Sequence, residues 1–206
     1  PLATSKMIIE NNKSQVTEKM DDELDKIENY IEQALFYARS NNVEKDYYIK
    51  NIKLEEIVKE SIKKCKNLLI DANTSINLHN LDAEVNTDNK WIVFILNQII
   101  QNSVKYRKSN INLELEIYAK KQKENVVLYI KDNGIGIKES EIEKIFDKSF
   151  TGTNGRLSNK KSTGIGLYLC KNLCEKLGIN IVATSVENEG TEISLIFPKG
   201  SFIEMN

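Results

Sequence analysis

Apolar positions along this chain change their period from stretch to stretch, and each change marks an element. Met20, Leu24, Ile27, Ile31, Ala34 and Ala38 recur at alternating spacings of four and three. That is the narrow seam of a helix that pairs with other helices, with Glu, Asp and Lys on its remaining faces. Thr17 can cap its start and Asn41-Asn42 can end it. Residues 1–11 also read as helix, with NNKSQ at 11–15 as the turn between the two. Two antiparallel helices cannot bury such a seam alone. A second copy would complete a four-helix bundle, and a long helix lying on its own domain is the plainer alternative.

From residue 41 onward the pattern shifts. NNVEKDYYIKN at 41–51 is polar and reads as a linker and the first strand of a second domain. Leu54, Ile57, Val58, Ser61, Ile62, Cys65, Leu68 and Leu69 predict an amphipathic helix from Leu54 to Leu69. Short strands follow near 75–80 and 83–87, then a helix from Asp88 to Lys105 with Asp88 as its N-cap. LELEIYA at 113–119 and NVVLYIKD at 125–132 alternate around the polar KKQKE and predict a hairpin. Residues 138–163 hold a short helix and a polar, glycine-containing loop. Irregular chain of that length inside a compact domain usually has a function, and it reads as a lid. A helix from Gly166 to Leu177, ended by Gly178, precedes the strands INIVATSV and TEISLIFP. The sum is an α+β fold, a sandwich of helices on one face of a mixed, mostly antiparallel sheet, preceded by an antiparallel helical hairpin. The domain boundaries expected are 1–43 for the hairpin and 44–206 for the sandwich.

Composition narrows the classes. Of 206 residues, 40% are apolar and 29% charged, an ordinary globular balance, and the net charge of −1 gives no argument for nucleic acid or an anionic membrane as a partner. The most apolar run, WIVFILNQII at 91–100, is far shorter than the ~20 residues of a membrane span. Cys65, Cys170 and Cys174 form no disulfide framework, which fits a reducing compartment. Cys170 and Cys174 lie one helical turn apart without a further cysteine or histidine nearby, so they read as buried thiols rather than a metal pair. Pro1 is an unusual first residue for a translated chain, so the sequence reads as starting inside a larger protein.

Three short motifs carry the chemistry. KDNGIGI at 131–137 ends a strand in Asp132 and continues through Gly134 and Gly136. A carboxylate at a strand end can accept from an exocyclic amine such as adenine N6, and glycines beside it let the backbone approach a ligand. On the helix of 88–105, Gln98, Asn102, Lys105 and Tyr106 share one polar face. Asn102 offers a neutral oxygen suited to one position of a Mg²⁺ bound mainly to phosphates and water, and Lys105 can reach phosphate as a point charge. In STGIGL at 162–167, Gly164 and Gly166 stand at a helix start, where free N–H groups form an anion site. Between the glycine pairs Phe146 and Phe150 can anchor a polar loop from which Lys148 and Arg156 could close on phosphates.

In this order, NQIIQNSVKY, DNGIGI, IFDKSF, STGIGLYLCKNL and GTEISLIFP resemble the ATP-binding domain of bacterial sensor histidine kinases, within the GHKL ATPase superfamily. FDKSFTGTNGR with the DYYI and DNKW segments looks like the intramembrane-sensing kinases of antimicrobial-peptide response systems. The resemblance implies a Bergerat-type pocket holding ATP and Mg²⁺ under a mobile lid. It implies Asn102 as the Mg²⁺ ligand, Lys105 and Tyr106 on the nucleotide, and Asp132 on adenine N6 beside Gly134 and Gly136. Gly164, Gly166 and Leu167 would bind phosphate, and Thr191 would lie near adenine through water. It also implies a homodimer through the helical hairpin, an aspartate-bearing response regulator as partner, and a cytoplasmic position in a bacterial membrane protein anchored by upstream segments.

Two departures qualify the resemblance. PLATSKMIIENN looks like the continuation of the subgroup's His-x-x-Lys-Thr-Pro pattern, so the phosphoacceptor histidine and its neighbouring acid are expected just upstream of Pro1, with no catalytic residue in this chain. His79, the only histidine, sits on a predicted strand and reads as structural. Second, the hydrolysing members of the superfamily carry a glutamate where this chain has Gln98. An amide cannot act as a general base near neutral pH, which favours phosphoryl transfer to an imidazole over attack by water. An ATP-hydrolysing clamp and a non-enzymatic nucleotide-binding interaction module are the alternatives.

Overall fold

A computed structural model describes residues 47–153 and 163–199, together with Met20, Leu24, Ile27 and Ile31. The chain divides into two compact units, Pro1–Lys45 and Asp46–Asn206. In the first, Met20, Leu24, Ile27 and Ile31 are helical, with Leu24 half-buried and the other three exposed. The rest of the expected hairpin, including the helix over 1–11, lies outside the described residues.

The second unit runs β1 (Lys50–Lys53), α1 (Leu54–Lys64), α2 (Lys66–Asp71), β2 (Ser75–His79), β3 (Glu84–Thr87), α3 (Asn89–Lys105), β4 (Glu114–Lys121), β5 (Asn125–Asp132), α4 (Glu139–Ile142), α5 (Gly166–Lys176), β6 (Asn180–Val186) and β7 (Gly190–Pro198). Five strands form one sheet in the order β2-β4-β5-β7-β6, antiparallel except for the β2–β4 pair. β1 and β3 form a separate antiparallel ribbon. The mixed, mostly antiparallel sheet is as predicted.

Alternation sets the two faces of the sheet. Leu115, Ile117 and Ala119 of β4, Leu128 and Ile130 of β5, and Ile193, Leu195 and Phe197 of β7 are buried toward the helices. α3 is apolar nearly all round, from Trp91 through Val104, because it lies inside this layer and packs on both α1 and α5. The other face carries His79, Tyr118 and Tyr129 in a stack with ring centroids 4.9 and 4.8 Å apart. His79 Nε2 lies 3.0 Å from Glu116 on that face.

Among the boundaries that differ from expectation, two have a local cause. The helix over 54–69 breaks at Cys65, which leaves helical geometry at φ −91°, ψ 8°. Ser61, buried one turn earlier, hydrogen-bonds back to Ile57 O, a bond that bends helices. Beyond the break, α2 buries Leu69 and leaves Leu68 exposed. The hairpin strand β4 runs two residues into the polar turn, because Lys120 and Lys121 still pair with Val127 and Val126.

All three cysteines are buried, and burial is the main cause that pushes the Cys65 thiol up to about 11 and the Cys174 thiol up to about 12. They are therefore expected not to react with a thiol reagent at pH ~7 until the protein unfolds. Rapid titration of any of them in the native protein would contradict this packing.

Candidate functional site

One stripe of α3 carries Ile99, Asn102, Ser103 and Tyr106, at the spacing that aligns side chains along a helix. Facing it are Asp132, Thr191 and Ile193. Asp132 and Thr191 are register partners on β5 and β7, and the two-residue period puts Ile193 beside Thr191. Gly136, Ile137, Glu141 and Ile145 line a third side, and Phe150, Thr151, Gly152 and Leu167 a fourth. Together they enclose a cleft of about 820 Å³, its open mouth included. A mainly apolar wall with a few placed polar groups suits a small organic ligand.

Asp132 stands at the base of the cleft, and its bonds are divided between its two oxygens. Oδ1 accepts the backbone N–H groups of Gly134 at 2.9 Å and Thr191 at 3.2 Å. Oδ2 accepts the Ser103 hydroxyl at 2.8 Å. Burial raises the Asp132 pKa, and these three hydrogen bonds and Lys108 oppose the rise without cancelling it. Asn133, the next residue, fixes the turn from outside: its Oδ1 accepts from Glu114 N and its amide donates to Asn112 O.

The glycines around Asp132 are set by close backbone approach. Gly136 has φ +66°, and a Cβ there would overlap Val186 O. Ile135 N donates to Tyr106 O, Asn188 N to Ile135 O and Ile137 N to Ser185 Oγ, so the turn is clasped between the end of α3 and the β6–β7 hairpin. Gly134 lies against Tyr106 O, just outside the cleft lining.

At the second glycine pair the two residues do different things. Gly164, at φ +65°, packs on the backbone of Ser149 and Phe150, and its carbonyl accepts from Ser149 N at 3.1 Å. Gly166 opens α5 against Gln98, whose Oε1 would lie 2.8 Å from a Cβ there. Gln98, which helical spacing places on one polar face with Asn102, is thus buried beneath the α5 start. Ile165 caps α5 with no side-chain bond, so the first-turn N–H groups rely on other acceptors.

Asn102, Tyr106, Asp132, Gly136, Leu167 and Thr191 thus gather at the cleft. Lys105 lies over the Tyr106 ring at 5.5 Å from its centroid, and Lys148 is exposed on the segment leading to Phe150. Arg156 lies outside the described residues. Sequence reasoning missed Ile99, Ser103, Glu141 and Ile193. Ile99 and Ser103 were legible from the stripe of α3 already carrying Asn102, and Ile193 from alternation after Thr191. Glu141 had no such signal. Its carboxylate accepts from Thr153 N at 3.0 Å and Thr153 Oγ1 at 2.6 Å, a contact that tertiary folding alone creates.

This cleft, with a half-buried acid between two glycine turns and an amide-bearing helix, defines a class that sequence comparison also finds. Residues 87–201, more than half of the chain, match the histidine kinase-, DNA gyrase B- and HSP90-like ATPases, and the chain belongs to this family. It is similar to the sensor histidine kinase YxdK of Bacillus subtilis (strain 168), with 32% identity over 199 residues, 96% of this chain and 60% of that protein. It is also similar to the sensor protein kinase GraS of Staphylococcus aureus (strain JH1), 31% identical over 200 residues, 96% of this chain and 57% of that one. The chain spans about three fifths of the length of these relatives. Among solved structures, Acinetobacter baumannii histidine kinase AdeS shares the fold at a TM-score of 0.69 and 18% identity, covering 96% of each chain.

Proposed function

We propose that this chain is the catalytic core of a sensor histidine kinase that binds ATP with Mg²⁺ in the cleft. The γ-phosphoryl group passes to a histidine on a segment preceding Pro1, for relay to an aspartate of a response regulator. The observation that carries the reading is the division of bonds at Asp132. Oδ1 is taken by two backbone donors, while Oδ2 keeps a lone pair for the N6 amine of adenine, with Ile99, Ile137 and Ile193 as apolar walls for the ring. Thr191 would hold a water beside the base, and Gly134 and Gly136 let the chain pass close to it. Phosphates then point toward Gly164, Gly166 and Leu167 at the α5 start, where the helix dipole and free N–H groups favour anions. Lys105 and Tyr106, with Lys148 and Arg156 from the lid, complete the nucleotide contacts.

Asn102 fits a magnesium ion by donor chemistry: a half-buried amide lining the cleft, one turn before the C-terminal end of α3. Among the described residues no group of three or more His, Cys, Asp or Glu side chains could hold a metal by itself, so phosphates and water would supply the remaining ligands. When bound, the ion supplies charge neutralisation on the phosphates. Gln98 offers no base for attack by water, so alignment of an incoming imidazole supplies the catalysis.

The hairpin of residues 1–43 would pair with its copy to make the homodimer and the regulator-docking surface, with residues 44–206 as the nucleotide domain. No helix among the described residues is long and apolar enough to cross a membrane. By its likeness to sensor kinases, this portion would stand on the cytoplasmic side of a protein anchored by other segments.

Calorimetry with ADP and ATP in the presence of Mg²⁺ tests the reading. Binding with preference over guanine nucleotides is the expected result, and no heat at millimolar nucleotide would overturn it. Vigorous steady-state ATP hydrolysis would favour the clamp. Asn102→Ala is expected to weaken Mg²⁺-dependent binding by about tenfold or more while changing metal-free binding little. Equal losses with and without the metal would remove Asn102 from its ligands.

A further inference from the structure

Two sequence motifs that the cleft does not use, DYYI at 46–49 and DNKW at 88–91, meet in the fold through Tyr47, Tyr48, Asp88 and Trp91. Asp88 is 6% exposed, and its carboxylate takes three backbone donors. Oδ1 caps α3 by accepting from Lys90 N at 2.9 Å and Trp91 N at 3.3 Å. Oδ2 accepts from Tyr48 N at 2.8 Å. Beside it the Tyr47 ring packs on Trp91, with centroids 5.7 Å apart. The Tyr47 hydroxyl is buried without a hydrogen-bond partner among the described residues, so ring packing rather than a polar bond holds it.

The reason for an acceptor at this position lies in the β1–β3 ribbon. Its ladder runs from Lys53↔Glu84 to Lys50↔Thr87. Two rungs further, opposite Tyr48, β3 has ended and the chain has turned into α3. There the Asp88 side chain is the acceptor for Tyr48 N. One carboxylate therefore joins the segment entering the unit to the first turn of the helix whose far end, about 25 Å away, carries Asn102 and Tyr106.

We propose that Asp88 is a positioning residue: it staples the entering segment at Tyr48 to the first turn of the nucleotide-binding helix, and phosphoryl transfer depends on that attachment. Its consequence for phosphoryl transfer rests on the kinase reading above, whereas the staple itself does not.

Asp88→Asn separates the two duties. Asparagine caps a helix as well as aspartate does, so its oxygen keeps Lys90 N and Trp91 N. Its amide nitrogen then faces Tyr48 N, a donor against a donor. Hydrogen exchange at the Tyr48 amide is expected to speed up by about tenfold or more, with nucleotide affinity unchanged within about twofold. Transfer from labelled ATP to the full-length parent, its own pocket disabled by Asn102→Ala, is expected to slow severalfold. Tyr47→Phe is expected to leave all three unchanged, because the hydroxyl makes no bond. Unaltered Tyr48 exchange in Asp88→Asn would overturn the staple. Faster exchange with an unchanged transfer rate would overturn its positioning role. Absence of transfer by the unsubstituted protein would count against the kinase reading, and Tyr48 exchange would still decide the staple.

Discussion

Asp132→Asn is expected to abolish the preference for adenine while leaving the empty protein at least as stable as before. The two backbone donors, Gly134 N and Thr191 N, both address Oδ1 and hold the amide oxygen of the variant in that place. The amide nitrogen must then occupy the position of Oδ2. There it can donate to Ser103 Oγ, whose proton turns to Ile99 O, already within 3.3 Å. The interior remains satisfied, but the group facing the cleft has changed from acceptor to donor and opposes the N6 amine. A hydrogen bond to a charged acceptor contributes about 1.5–3 kcal/mol, so adenine nucleotides should lose about ten- to a hundredfold in affinity. Calorimetry with ADP and GDP measures it, and an unchanged ADP affinity would remove Asp132 from the base contact.

The same variant carries a pH signature. Burial, the largest cause, holds the Asp132 carboxyl above its ordinary range, so the folded protein binds that proton more readily than the unfolded chain. Stability from this proton is fully present below the unfolded pKa and is lost as pH rises through the higher folded pKa. At neutral pH the ionised group therefore counts against the empty fold, and asparagine removes that cost. The melting temperature of Asp132→Asn should equal or exceed the parent's at pH ~7, with the gap closing as pH falls toward about 4. A gap that widens on acidification would contradict the raised pKa.

Gly190→Ala is expected to have the opposite profile, losing both the fold of the site and the binding. Gly190 opens β7 at φ +139°, a conformation nearly closed to L side chains, and a Cβ there would overlap the Asp132 carbonyl. The obstacle is backbone at the junction of β5 and the glycine turn, so nothing flexible can give way. Gly190 O also accepts the Ser185 hydroxyl at 2.6 Å, which in turn holds Ile137 N. Displacing β7 would release Thr191 from Asp132 and the turn from β6 together. Strain of this kind costs about 3 kcal/mol or more. Chemical denaturation should show that loss, with nucleotide binding below detection. A variant within ~1 kcal/mol of the parent that still binds ADP would show that the turn tolerates movement.

Element order, the α+β class and part of the cleft lining were legible in the residue pattern, because those follow from local signals. Period two marked β4 and β5, a long apolar run marked α3, and an acid before paired glycines marked the turn at Asp132. Asp88 announced a helix start through its side-chain chemistry alone. How these parts are used depends on packing between distant segments. That packing buried Gln98 beneath Gly166, although helical spacing put it on a polar face, because α5 packs across that part of α3. It gave Gly164 to the Ser149–Phe150 backbone, required a glycine at 190, and set Ser103 and Thr191 on different oxygens of one carboxylate. Each of these depends on which backbone lies against which at long sequence separation, and a one-dimensional pattern of apolar and polar positions carries no such distance.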